Sequence, residues 1–66
     1  MTPKQQALYA LMENAGYSIG CIHTAIALLG QSREALDDMI IYIEDHQPTE
    51  REVIEHIADI SRPAPL

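Results

Sequence analysis

The 66-residue chain contains one cysteine, no tryptophan, no phenylalanine and only four basic residues. The single cysteine, Cys21, excludes an intramolecular disulfide, and the multi-cysteine patterns of structural zinc sites are absent as well. Without Trp or Phe, the core has to be aliphatic, built from Leu, Ile, Met and Ala. A single domain of this size buries only about 60% of its unfolded surface. Good helix packing or a second subunit therefore has to stabilise it.

Basic residues are outnumbered by ten acidic ones, which gives a net charge of −6. This balance opposes binding to nucleic acid and to anionic membranes, and it permits a basic protein partner. The longest strictly apolar run, residues 25–29, is too short to span a bilayer. The N-terminus lacks the apolar core of a secretory signal. The sequence therefore predicts a cytoplasmic protein with no membrane segment.

Apolar residues recur at helical spacing in four segments, which predicts an all-α fold, a small bundle of three to four short helices. Each segment begins at a residue that caps helix N-termini well, and each of the first three stops at a helix breaker. The predicted caps are Thr2, Ser18, Ser32 and Thr49, and the predicted stops are Gly16, Gly30 and Pro48. We expect one helical domain over residues 1–62 and a loose tail over residues 63–66.

The apolar positions of each segment predict its buried face. In chain order they are Ala7, Leu8, Leu11, Met12 and Ala15; Ile19, Ile22, Ile26 and Leu29, widened by Cys21, Ala25 and Leu28; Leu36, Met39, Ile40 and Ile43; and Val53, Ile54, Ile57 and Ile60. The second arc is the widest. We therefore expect the second helix to be central and mostly buried.

The second and third helices are joined by the segment AIALLGQSREAL, residues 25–36. A helix of small residues runs into Leu-Leu-Gly, and a Ser-Arg pair and a Leu follow. The segment resembles the helix-turn-helix of Fis-type bacterial regulators, at the positions Ala25, Leu28, Leu29, Gly30, Ser32, Arg33 and Leu36. The resemblance implies a helix-turn-helix and a DNA-binding transcriptional regulator. A second pattern, Gly16-Tyr17, Ala25-Ile26 and Tyr42-Ile43, resembles a ubiquitin-associated three-helix domain and implies a compact helical bundle.

The third helix departs from the Fis-type pattern in charge. Asp37 and Asp38 stand where the family's recognition helix carries Arg, Lys and Tyr, and Gln31 replaces the usual Ile or Val of the turn. Carboxylates repel phosphates and accept only from the cytosine amino group in the major groove. Because of this negative charge, we expect the domain to bind a protein partner, and DNA binding is the alternative.

An isoleucine stands among these acidic residues. Ile41 has Asp37, Asp38, Glu44 and Asp45 three or four positions away, which makes them its neighbours on a helix surface. It is either an exposed anchor for a basic amphipathic partner, an ordinary exposed apolar residue, or a residue packed under the fourth helix. We predict these five residues as the partner-binding site. The apolar run of residues 39–43 also suggests a homodimer interface.

No pattern points to catalysis or to a cofactor. The glycines are isolated and no nucleophile motif is present, so we expect no enzyme. One face of the fourth helix carries Glu52, Glu55, His56 and Asp59. These residues are either ligands of a divalent metal or an ordinary solvent-exposed polar face. One helix face rarely supplies a full coordination shell, so we expect no metal site. The leading hypothesis is a small interaction or regulatory protein that presents its acidic helix face, or a helix dimer, to a protein partner.

Overall fold

A computed structural model describes residues 1–61, and these residues form four α-helices without any strand. The helices are α1 (Pro3–Asn14), α2 (Ile19–Leu29), α3 (Arg33–His46) and α4 (Glu50–Ser61). The predicted all-α bundle is therefore confirmed. The predicted tail, residues 63–66, lies outside the described residues. No helix in the described part of the chain is long and apolar enough to cross a membrane.

The predicted N-caps are confirmed at all four helices. Each cap's side-chain oxygen accepts the backbone N–H of the residue three positions later, at 3.1–3.3 Å; the caps are Thr2, Ser18, Ser32 and Thr49. Two of them complete capping boxes. Gln5 Oε1 accepts the Thr2 N–H at 2.8 Å, and Glu52 Oε1 accepts the Thr49 N–H at 2.9 Å. These bonds depend only on local sequence, which explains why spacing predicted them.

The first three helices also end at the predicted stop residues. Gly16 and Gly30 take positive φ angles of 93° and 61°. Residues with a Cβ atom are energetically disfavoured in this region of backbone conformation. Gln47, before Pro48, ends α3 in the left-handed conformation, with φ 46° and ψ 55°. The ring of Pro48 disfavours a right-handed helical residue before it, so α3 stops here.

The helices pack in a ring in which each one has two main neighbours. α1 packs on α2 and α3, α2 also packs on α4, and α3 packs more lightly on α4, whereas α2 and α3 make little direct contact along their lengths. The buried core is aliphatic, as predicted, and draws on all four helices. Its most fully enclosed side chains are Leu8, Met12, Ile22, Leu36, Met39, Val53 and Ile57.

The prediction that α2 is central and mostly buried is wrong. Cys21, Ile22, Ala25 and Leu29 are buried, but Ile19 is 50% exposed and Leu28 is 55% exposed. Since only α1 and α4 pack closely on α2, its outer side has nothing to cover it. That side carries no Asp, Glu, Lys or Arg, because α2 contains none.

Three other positions that we expected to be buried are also exposed. They are Ala7 on α1, Ala15 directly after α1, and Ile54 on α4, the last with 37% of its surface accessible. Each lies at the edge of its apolar stripe. A bundle of four short helices has too few neighbours to cover a stripe wider than the shared core.

One polar side chain is buried with the core. Gln5 is 8% exposed, and its amide is used at both ends. Oε1 accepts the Thr2 N–H, and Nε2 donates to the carbonyl oxygen of Gly30 at 2.8 Å. The capping box of α1 is thereby tied to the turn between α2 and α3.

We predict that Gln5→Glu destabilises the fold by about 2 kcal/mol, since it leaves a buried carboxylate against a carbonyl oxygen that has lost its donor. The variant keeps an oxygen for the capping box, so the loss isolates the bond to Gly30. Gln6→Glu is the control, because Gln6 is exposed in the same helical turn and the charge change is identical. Urea unfolding followed by circular dichroism measures both. Equal midpoints for the two variants would contradict the prediction.

We also predict that Gly30→Ala lowers stability by about 2 kcal/mol, because φ 61° with ψ −139° is strained for a residue with a Cβ atom. An added Cβ would meet no atom within 4 Å, so the penalty comes from the backbone alone. Gly20→Ala is the matched control. Gly20 is helical and equally open, and there alanine should leave stability unchanged or raise it by about 0.5 kcal/mol. Thermal unfolding of the pair checks both signs.

Candidate functional site: the acidic face of helix α3

The five residues that the sequence singled out lie on α3, and we call this surface the acidic face: Asp37, Asp38, Ile41, Glu44 and Asp45. Ile41 is 57% exposed. The alternative in which Ile41 packs under α4 is therefore wrong. Glu34, one of the exposed residues, stands two helical turns before Ile41 and extends the same side of the helix. Glu34 is not among the five predicted site residues, although its spacing of seven from Ile41 places it on the same side of the helix.

The apolar run of residues 39–43 is mostly covered within the molecule. Met39 is fully buried and Ile43 is 2% exposed, while Ile40 and Tyr42 are half-buried against the core. Ile41 is the exposed member of the run. For the predicted homodimer interface, this run therefore offers Ile41 and the accessible parts of Ile40 and Tyr42.

Two of the four carboxylates of the acidic face make contacts inside the molecule. Asp37 Oδ1 lies 2.6 Å from Lys4 Nζ on α1. Asp38 Oδ2 lies 2.7 Å from His56 Nε2 on α4. The second contact is an ion pair when His56 is protonated and a hydrogen bond when it is neutral. Both involve partly exposed side chains, so each contributes about 0–1 kcal/mol to stability. Their consequence is geometric, because they fix the two flanks of α3.

The remaining carboxylates have no such partner. Among the described residues, no ion pair or side-chain hydrogen bond engages Glu34, Glu44 or Asp45. All three side chains are exposed. Of these three, Glu34 is in line with Ile41, and Glu44 and Asp45 lie on either side of that line one helical turn later.

An aromatic cluster joins α3 to α4 beside the acidic face. The Tyr42 and His56 rings are stacked, with centroids 3.9 Å apart and planes 10° apart, and His46 lies 5.3 Å from Tyr42, centroid to centroid. His56 thus stands between the Tyr42 ring and the Asp38 carboxylate. The ring stack holds His56 in position to meet Asp38 across the light α3–α4 contact.

The four residues of α4 that were weighed as metal ligands, and from which no metal site was expected, make other contacts. The Thr49 backbone N–H donates to Glu52 Oε1, and hydrogen bonding from Thr49 lowers the Glu52 pKa. His56 faces Asp38. Glu55 lies 3.5 Å from Arg51. Within residues 1–61, no group of three or more His, Cys, Asp or Glu side chains is arranged to hold a metal ion.

Cys21 and Tyr17 lie near the start of α2. Burial, followed by the nearby Glu50 carboxylate, raises the pKa of the Cys21 thiol, so the thiol is protonated at neutral pH and is a poor nucleophile. Burial likewise raises the pKa of Tyr17, whose hydroxyl donates to the Pro48 carbonyl oxygen. Glu50 Oε2 accepts the Ser18 N–H at 2.7 Å. These groups join the start of α2 to the start of α4.

Two basic residues come together on the other side of α3. Lys4 and Arg33 line a shallow groove between the start of α1 and the α2–α3 turn, together with Thr2, Pro3, Ala7 and Gln31. Arg51 instead pairs with Glu55 on α4. Lys4 and Arg33 therefore form a two-residue basic cluster, and the Lys4–Asp37 pair joins this cluster to the edge of the acidic face.

Comparisons of the chain with protein-family models, with curated protein sequences and with solved structures give no match. The function therefore has to be argued from the chain's own residues.

Proposed function

We propose that this chain is a small non-enzymatic interaction or regulatory protein that presents the acidic face of α3 to a basic segment of a protein partner. The main observation in support is the exposure of Ile41, since more than half of this residue is accessible at the centre of the acidic face. Covering its exposed part would contribute about 1 kcal/mol to binding. The surrounding carboxylates would select a basic partner and speed its encounter.

The positions of Glu44 and Asp45 support an interaction role. Both lie near the C-terminal end of α3, where the helix dipole disfavours negative charge by about 0.5 kcal/mol per residue. Neither makes an internal pair within the described chain. Folding stability alone therefore gives no reason for carboxylates at these two positions, whereas a basic partner does.

The test uses a synthetic 14-residue amphipathic helix of lysine and leucine, with a glutamate and leucine peptide as its counterpart. We expect the basic peptide to bind and the acidic one not to bind. The double variant Glu44→Lys/Asp45→Lys should weaken binding by about tenfold or more. Fluorescence anisotropy measures the affinity, and amide chemical shifts locate the peptide on the protein.

The matched control is Glu13→Lys/Glu55→Lys. It changes the net charge from −6 to −2, as the test variant does, and its residues lie on α1 and α4. We expect it to bind the basic peptide nearly as well as the unmodified chain does. If both double variants weaken binding equally, the effect is one of total charge, and the acidic face is rejected as the site.

The alternative function is a helix-turn-helix DNA-binding regulator. Two observations support it: Gly30 and Ser32 form the turn and cap that the Fis-type resemblance implies, and Lys4 and Arg33 line one groove. Lys4 is already paired with Asp37, and the acidic face lies on the helix that would enter the groove of the duplex. We therefore rank this function second.

A titration of a fluorescent duplex at low ionic strength separates the two functions, since electrostatic binding is strongest there. We expect no binding. A DNA-binding role through Lys4 and Arg33 would instead give measurable binding whose log affinity falls with log salt at a slope of about −2. In that case Lys4→Ala/Arg33→Ala would abolish it, and the DNA-binding function would replace the first proposal.

A further inference from the structure

A groove opens between the C-terminal part of α2, the first half of α3 and the end of α4. Its apolar surface comes from Leu28, Leu29, Ala35 and Ile60, and its polar surface comes from Ser32 and from Glu34 and Asp38 at the rim. We call it the anchor groove. We propose that it receives an apolar side chain of a basic amphipathic helix whose other apolar contact is Ile41. This inference rests on the proposed function and specifies the partner that the acidic face would bind.

The groove exists because of how the helices pack. α2 and α3 make little direct contact, and α3 touches α4 only lightly, so a wedge remains between the three. Leu28 projects at its edge with 55% of its surface exposed, and Ile60 is half-buried. An apolar side chain entering the wedge would cover aliphatic surface on two helices at once, which a flat surface does not offer.

Charge selects the occupant. Both ionisable side chains at the rim are acidic, and no Lys or Arg is among the described residues that line the groove. The nearby Arg33 lines the groove on the α1 side instead. A second copy of this chain, with a net charge of −6, would bring more negative charge to an acidic rim. A basic partner would gain chiefly from Glu34, because Asp38 already contacts His56, while its apolar residue is buried.

The distance along α3 sets the spacing of the partner's anchors. Glu34 at the groove rim and Ile41 are seven residues apart, which is about 10.5 Å along an α-helix. Two apolar residues seven positions apart on a partner helix span the same length and lie on one face. The partner is therefore a helix with apolar residues at positions i and i+7 and with lysine or arginine around them.

Two synthetic lysine-rich helical peptides test this geometry, one with leucines at i and i+7 and one with a single leucine. On the unmodified chain, the two-leucine peptide should bind about tenfold more tightly. That advantage should disappear with Leu28→Ser and remain with Leu28→Met. Ile19→Ser is the matched control, because Ile19 is similarly exposed on the same helix and does not line the groove. The advantage should persist there.

The outcomes separate this inference from the proposed function. If both peptides bind and the two-leucine advantage survives in Leu28→Ser, the anchor groove is rejected and the acidic face stands. If Ile19→Ser removes the advantage as well, the effect comes from α2 in general, and the groove is again rejected. If neither peptide binds the unmodified chain, both proposals fail. Thermal unfolding of each variant verifies that the fold is retained.

Discussion

The buried amide of Gln5 is the contact on which the arrangement of helices depends. It accepts from Thr2 at one end and donates to Gly30 at the other, and among the described residues it is the one buried polar side chain. An aliphatic core tolerates repacking when volume and pattern are kept, whereas a buried amide has to keep its partners or lose about 1–3 kcal/mol. The core supplies cohesion, and Gln5 fixes where the α2–α3 turn sits on α1.

The position of α3 follows from that turn, and the acidic face follows from the position of α3. With its start held near α1, α3 lies with one flank toward Lys4 and the other toward His56. The two aspartates that meet these residues straddle the line of Ile41. Ile41 lies between these two aspartates and is 57% exposed. Its exposure is therefore a property of the packing, and not of a loose surface side chain.

The sequence predicted the features that depend on residues close together in the chain. It did not predict those that depend on which helices pack against each other. Caps such as Ser18 and turns such as Gly30 are set within a few residues. Spacing on one helix also placed four carboxylates around Ile41, but it left open whether Ile41 is exposed or packed under α4. The bond from Gln5 to Gly30 joins positions 25 residues apart, and no local pattern announces it. The burial of Leu28 was wrongly predicted for a related reason. The sequence shows that Leu28 is apolar, but it does not show that no helix packs on that side of α2.

The distribution of charge connects these observations. α2 has no Asp, Glu, Lys or Arg yet is partly exposed, whereas α3 carries three exposed carboxylates without a partner in the described chain, Glu34, Glu44 and Asp45. Each is unfavourable for an isolated small domain, the first because apolar surface stays in contact with water and the second because like charges repel. The two surfaces meet at the anchor groove, where Leu28 faces Glu34 and Asp38 across one wedge. A helix that is apolar along one line and basic beside it relieves both costs together, which neither a purely apolar surface nor a nucleic acid would do.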